Sequence, residues 1–270
     1  MQVSPITRSN FVNYNNSKAK NASGFNVNFG HHPDFKKLMQ DYEVTASSYF
    51  RRGSFYGSPC KEFADVISTL KQFFNEKMNL QNGKINMLIG GIGNSEEPFS
   101  MLAVIKNLIG ENKIKDVLNL FTVDLQSRPE KKELKWQSFY SGLKPDFVPD
   151  SFVKETSDEY GYKWVGKYRV CDEIFQYLSE AYDNHANSKW ETRIQDAVKE
   201  YPDNSLDIVS INNTIGYIMD YEEGMSVLRN VLRSLKSGGV FITDPDYRKF
   251  RQIFSPEVSD EIYPGIYKKK

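Results

Sequence analysis

Apolar positions along this chain change rhythm near residue 84. Upstream, "CKEFADVISTLKQFFNEKMN" (60–79) sets Phe63, Val66, Ile67, Leu70, Phe73 and Phe74 on one helical stripe. That spacing predicts a core-facing helix. An earlier stretch, "DFKKLMQDYE" from Asp34, also reads as helical, opening after His32-Pro33. From residue 84 the apolar runs shorten and alternate with helical patterns. Ile85–Ile89 reads as a strand running into glycines, followed by a helix carrying Phe99, Leu102, Ala103, Ile105 and Ile109. "VLNLFTVD" (117–124) reads as a second strand, and "TRIQDA" (192–197) and "LDIVSIN" (206–212) as later ones. "EEGMSVLRNVLRSLKSGG" is an amphipathic helix with Met225, Leu228, Val231, Leu232 and Leu235 on one face, closed by Gly238-Gly239, and "VFITD" is a further strand. Strands alternating with helices predict an α/β fold, Rossmann-like, with a mostly parallel sheet covered on both faces. No internal repeat or coiled-coil heptad is present.

The glycines acquire a role from this order. "INMLIGGIGNSEEPFSMLAVI" (85–105) places Gly90, Gly91 and Gly93 within four positions, at the carboxyl end of the first strand. Glycines there let a ligand approach the backbone, and the next helix offers its N-terminus. A tight turn without a ligand is the plain alternative. Asp124 ends the second strand, where a carboxylate can accept from two ribose hydroxyls. A phosphate-binding Walker loop would need Lys and then Ser or Thr after its last glycine, and the chain supplies neither. Glu96 and Glu97 fall where a dinucleotide's pyrophosphate would lie. Two carboxylates repel that group but suit a ligand bearing an ammonium and a sulfonium, such as S-adenosylmethionine.

Composition narrows the picture further. With 270 residues the chain is long enough for one large domain and a substantial core. Its formal net charge is zero, which removes the usual footprint of a duplex-binding protein, so no nucleic-acid partner is expected. No apolar run approaches the ~20 residues of a membrane helix, and the N-terminus lacks a secretory apolar core. Cys60 and Cys171, far apart in sequence, read as reduced thiols of a cytoplasmic protein. His31, His32 and His185 make no metal site. Residues 1–33, rich in Asn and Ser and without Asp or Glu, read as a solvated tail. The expected organisation is that tail, a helical region over 34–80, and a cofactor-binding domain over 81–270 with an insertion at about 130–185.

Within this frame, "GNSEEPFSMLAV" resembles the glycine–Glu–Glu–Pro–Tyr–Ser signature of the chemotaxis receptor methyltransferases, which use S-adenosylmethionine and have the class I methyltransferase fold. "TASSYFRR" (45–52) is similar to that family's Thr-x-Phe-Phe-Arg segment, aligning Tyr49, Phe50 and Arg51. "DIVSINNTIGYIMD" (207–220) is similar to its Cys-Arg-Asn-Val-Leu-Ile-Tyr-Phe segment, aligning Asn213 and Tyr217. "VLRSLKSGGVFITD" resembles the late helix–strand pair of class I methyltransferases.

The resemblance implies roles. Arg51 would meet the cofactor's methionine carboxylate, with Thr45 or Ser47 nearby. Gly91 and Gly93 would pass beneath the methionine portion, Glu97 would take its ammonium, and Asp124 would hold the ribose. Asp196 and Ala197 lie where the family contacts adenine. Asn213 and Tyr217 would stand near the transferred methyl. The implied activity is O-methylation of a protein glutamate, converting S-adenosylmethionine to S-adenosylhomocysteine. An ionised carboxylate needs no general base, so alignment and exclusion of water would suffice.

Departures bear on the acceptor. Ser95 replaces the family's glycine before Glu-Glu, and Asn212 replaces its arginine. The helical N-terminal region is shortened. The stretch 125–191 is long for a connection, is aromatic-rich ("YGYKWVGKYRV"), and falls where the family inserts a small β-subdomain. A small-molecule acceptor, and a non-catalytic cofactor-binding regulatory protein, stand as alternatives.

Overall fold

Strand β1, Ile85–Gly90, is buried throughout except at Asn86, as a strand covered on both faces must be. Its side chains divide by alternation. Met87 and Ile89 enter one apolar cluster, and Leu88 enters the other. The structure is a computed structural model. It describes residues 59–78, 83–93, 95–110, 112–130, 136–141, 153–155, 164–169, 172–212, 214–218, 220–243 and 253–270.

Strand β1 sits in a seven-stranded sheet with β2 (Leu118–Val123), β6 (Ser188–Lys189), β7 (Leu206–Ile211), β8 (Leu235–Thr243), β9 (Ser259–Tyr263) and β10 (Ile266–Lys269). The order is β6-β2-β1-β7-β8-β10-β9. Strands β6, β2, β1, β7 and β8 pair in parallel, while β10 runs antiparallel between β8 and β9. This is the doubly wound arrangement, with chain direction leaving β1 toward β2 on one side and β7 on the other. Register aligns the strand ends. Gly90 pairs with both Val123 and Ile211, so Gly91, Asp124 and Asn212 emerge along one edge of the sheet.

One face carries helix α1 (Pro59–Met78), α2 (Glu96–Ile109) and α4 (Asp172–Asp183). Val66, Leu70, Phe73 and Phe74 of α1 are buried there with Phe99, Leu102 and Ile105 of α2 and Ile174, Leu178 and Tyr182 of α4. The short helix α3 (Ile114–Val117) leads into β2. The other face carries α5 (Ile194–Ala197) and α6 (Tyr221–Ser234), which bury Ile194, Ala197, Val227, Leu228 and Val231. Asp220 starts α6 by accepting from the Glu223 amide at 2.8 Å. A separate three-stranded antiparallel sheet, ordered β3-β5-β4, is built from Trp136–Ser141, Trp164–Arg169 and Val153–Glu155. It falls inside the expected insertion.

Two expectations need correction, and one element is new. "TRIQDA" is no strand: residues 194–197 form α5, and Ile194, Ala197 and Val198 are buried at helical spacing. The strand in that region is β6, two residues long, pairing Ser188 and Lys189 with Thr122 and Val123. Helix α6 stops at Ser234, before the glycines. Lys269 Nζ donates to the carbonyls of Leu232 and Leu235 at 2.9 and 2.6 Å, supplying the helix end with a cation. Gly238, at φ 75°, instead serves an irregular stretch of β8. The hairpin β9–β10 was not read from the sequence, although Pro264-Gly265 marks its turn.

Candidate functional site

A cavity of about 540 Å³ opens at the carboxyl edge of the sheet. Its wall includes Gly91 and Gly93 after β1, and Val123 to Gln126 at the end of β2. Thr192 to Gln195 around α5, and Thr214, Tyr217, Ile218, Asp220 and Glu223 after β7, complete the described wall. Four residues singled out in the sequence therefore converge: Gly91, Gly93, Asp124 and Tyr217.

The glycines do different work. Gly91 has φ 72°, and a β-carbon there would lie 1.8 Å from Thr214 Oγ1, so the loop after β7 packs directly on it. Gly93 has φ 50° and nothing within 4 Å of such a carbon, leaving its backbone open on the cavity wall. Between β1 and α2 the chain turns tightly: the Ser95 amide donates to Ile92 O at 2.8 Å. Ser95 itself has φ 68° and ψ 13°. That left-handed conformation costs about 1–2 kcal/mol for a residue with a β-carbon, which is the physical reason a glycine suits this place in the family it resembles.

Asp124 is buried, and its carboxylate is held by backbone donors. Oδ2 accepts from the Gly93 amide at 2.8 Å and Oδ1 from the Gln126 amide at 2.7 Å. Each oxygen keeps a lone pair for a ligand hydroxyl. The peptide of Asp124 is fixed as well: its amide donates to Lys189 O at 3.0 Å, and its carbonyl accepts from Thr192 at 3.0 Å. The two-residue β6 and the turn after it thus grip the strand end that presents the carboxylate. These bonds give Asp124 a share in the fold as well as a place on the cavity wall.

Glu97 lies inward from the cavity wall. It is buried, and Oε1 accepts from Asn212 Nδ2 at 2.6 Å and from the Ser210 hydroxyl. Asn212, which stands where the resembled family has arginine, so acts as a donor to Glu97, while its own Oδ1 is buried without a hydrogen-bond partner. Asp196 turns outward. Arg193 reaches it with Nε at 2.8 Å and Nη2 at 3.4 Å, and Lys199 approaches to 3.7 Å. The Arg193 hydrogen bond holds the Asp196 carboxyl below its usual range. Ala197 is fully buried, and the cavity wall passes through the preceding residues Arg193, Ile194 and Gln195. Tyr217 ends a 3-10 turn, Ile215–Tyr217, and is 73% exposed, which rules out plain core packing for it. Thr45, Ser47, Arg51 and Asn213 lie outside the described residues.

Sequence reasoning missed Gln126, Arg193, Thr214 and Asp220. Asp220-x-x-Glu223 is the one with a readable signal, an acidic cap three residues before a glutamate at a helix start. Among the described residues no cluster of ligands for a metal is present, and no helix is long and apolar enough to cross a membrane.

A family model described as a methyltransferase domain matches residues 162–243. No curated protein matches by sequence. Among solved structures, the chain is similar to the YcgJ protein of Bacillus subtilis, at 13% identity and TM-score 0.29, over 66% of this chain and 48% of that one. It is similar to a putative sarcosine dimethylglycine methyltransferase from Galdieria sulphuraria, at 11% identity and TM-score 0.32, over 68% and 45%. A putative S-adenosyl-L-methionine-dependent methyltransferase from Methanococcus maripaludis aligns at 12% identity and TM-score 0.33, over 89% and 83%. The chain spans 44% to 50% of the first three structures it resembles, about half their length. The sheet order defines a doubly wound, Rossmann-like α/β fold, and the methyltransferase-domain match lies within it, over its later strands and helices. The open backbone at Gly93 beside the buried carboxylate of Asp124 fits a ligand such as S-adenosylmethionine.

Proposed function

We propose that this chain transfers a methyl group from S-adenosylmethionine and releases S-adenosylhomocysteine. The observation that carries this reading is the meeting of Gly93 and Asp124 on one cavity, joined by a 2.8 Å hydrogen bond, at the edge where doubly wound sheets bind ligands. When bound, the cofactor supplies an electrophilic methyl on a sulfonium. Asp124 holds the ribose hydroxyls, and Gly93 lets the ligand lie against the backbone. The resemblance assigns the ammonium to Glu97, whose Oε1 is held inward of the described wall by Asn212 and Ser210. Arg51 with Thr45 or Ser47 meets the carboxylate, and the adenine side that the resemblance assigns to Asp196 and Ala197 is bordered on the described wall by Arg193, Ile194 and Gln195 just before them. Asn213 and Tyr217 border the path of the methyl, where Tyr217 orients the acceptor.

Two acceptor classes arise from different observations. The "GNSEEPFSMLAV" resemblance supports a protein carboxylate, in the manner of the chemotaxis receptor methyltransferases. The cavity wall favours a neutral or cationic small molecule. Beside Tyr217 stand Asp220 and Glu223, and the cation on the described wall, Arg193, is paired with Asp196 at 2.8 Å and lies 3.5 Å from Glu223. Acidic groups there repel a carboxylate acceptor. A cytoplasmic location without a nucleic-acid partner agrees with two separated cysteines and zero net charge.

Calorimetry with S-adenosylmethionine and S-adenosylhomocysteine should give micromolar-class binding, on the order of −8 kcal/mol. The absence of both heat and thermal shift at millimolar ligand would overturn the reading. Label from methyl-labelled cofactor should then appear in protein for the first acceptor class and in the small-molecule fraction for the second.

A further inference from the structure

Ser95 keeps a left-handed backbone that its residue type disfavours, with φ 68°, at the entry to α2. Its side chain is fully buried, and the hydroxyl accepts from Tyr182 Oη at 2.9 Å. Tyr182, near the end of α4, is fully buried too. Its ring meets Trp190 edge-on at 4.8 Å between centroids, and Trp190 Nε1 donates to its carbonyl at 3.2 Å. The Tyr182 side chain is therefore fixed before it reaches Ser95. From Ser95 a short line of bonds runs to the cavity. The Ser95 amide closes the turn on Ile92 O at 2.8 Å, and within that turn the Gly93 amide donates to Asp124 Oδ2 at 2.8 Å.

We infer that Tyr182 is a positioning residue for the cofactor site: its hydroxyl anchors Ser95 in the left-handed conformation and so sets the turn that joins Gly93 to Asp124. This rests on the proposed reading that Gly93 and Asp124 hold the cofactor. A glycine at position 95 would adopt the same backbone freely. A serine adopts it against its preference, and the buried hydrogen bond from α4 offsets that cost. The helix that comes after the inserted sheet is thereby coupled to the loop on the cavity wall.

Four variants of the full chain test this: Tyr182→Phe, Ser95→Ala, Ser95→Gly and the double variant Tyr182→Phe with Ser95→Gly. Affinity for S-adenosylhomocysteine is measured by calorimetry, and amide hydrogen exchange at Gly93 and Ser95 is measured without ligand. Tyr182→Phe and Ser95→Ala should each weaken binding about tenfold and speed exchange at both amides, since each loses the anchor and keeps the strain. Ser95→Gly and the double variant should stay within about threefold of the parent, whatever their thermal midpoints. Parental affinity in Tyr182→Phe, or equal losses in Ser95→Ala and Ser95→Gly, would overturn the inference. The Ser95 pair leaves α4 untouched, so it decides the matter if Tyr182→Phe fails to fold. A parent chain that binds no cofactor overturns the functional reading instead. The exchange rates then still decide the anchor: unchanged rates in Tyr182→Phe refute it, and rates quickened there and restored by glycine sustain it.

Discussion

Asp207 and Asp124 are both buried aspartates of one sheet, set at its opposite edges, and their partners differ in kind. At the amino edge, Asp207 Oδ2 accepts from the Asn86 amide at 3.0 Å and from Lys236 Nζ at 2.6 Å, with Lys77 at 3.8 Å from the other oxygen. Asn86 extends the network, its Nδ2 donating to Ser205 O at 2.9 Å and its Oδ1 accepting from Asn119 at 3.0 Å. That carboxylate is charge-paired and closed. At the carboxyl edge, Asp124 accepts from two backbone amides and lies on a cavity wall. The same residue type is a closed fastener where cations meet it and, where only backbone dipoles do, keeps acceptor capacity on a cavity wall. Preorganised amides leave the acceptor capacity of a carboxylate partly unused, whereas lysines consume it.

The amino edge should give the largest effect on stability. Asp207→Ala removes the charge-assisted bond to Lys236 and the 3.8 Å ion pair with Lys77, and leaves the Asn86 amide without its acceptor. The lysine side chains reach solvent, being 35% and 25% exposed, so the loss falls short of stranding a fully buried cation. Unfolding free energy should drop by about 3 kcal/mol in denaturant titration, with cofactor affinity within about twofold of the parent. A variant of unchanged stability, or one whose affinity falls in step, would erase the distinction between the edges.

Asp124→Ala sharpens the contrast from the other side. Losing charge-assisted bonds to the ribose should weaken cofactor binding by roughly 1.5–3 kcal/mol. Because the Gly93 and Gln126 amides also lose their acceptor, stability should fall too, by about 1–2 kcal/mol. Calorimetry beside denaturant titration separates the two. Parental affinity would remove Asp124 from the ribose.

Legibility in the sequence obeys the same physics. Strands β1, β2 and β7 were readable because central strands must be apolar on both faces, and their ends locate Gly91, Gly93, Asp124 and Tyr217 on one edge. Strand β6 was not readable, since two paired residues carry no periodicity. Its place depends on contacts distant in sequence, such as the Thr122–Ser188 hydroxyl pair at 2.7 Å. Side-chain direction was equally hidden. Glu97 turns inward because Ser210 and Asn212, more than 110 residues away, supply donors there, and Asp196 turns outward because Arg193 sits three positions before it. A strand end can be read from local pattern, but where its neighbours point cannot.

Tyr217 offers the smallest and most diagnostic effect, because it stands on the carboxyl edge and the proposed function gives it the acceptor rather than the cofactor. Its 3-10 turn is closed by its own amide donating to Thr214 O at 3.0 Å, and Thr214 in turn packs on Gly91. The backbone at Tyr217 is thus tied to the glycine turn, while the ring is 73% exposed and lines the cavity. Removing the phenol oxygen leaves those backbone links in place. Tyr217→Phe should therefore leave cofactor affinity within about 0.5 kcal/mol of the parent, the scatter of a change outside the contacts. Turnover on the acceptor found by labelling should fall about tenfold or more, on the order of 1.4 kcal/mol of transition-state stabilisation. Binding kept with rate lost is the signature of a group that orients the acceptor. Unchanged turnover would reduce Tyr217 to a rim residue. A collapse of cofactor binding would instead move it into the grip beside Asp124, and the carboxyl edge would then lack a separate place for the acceptor.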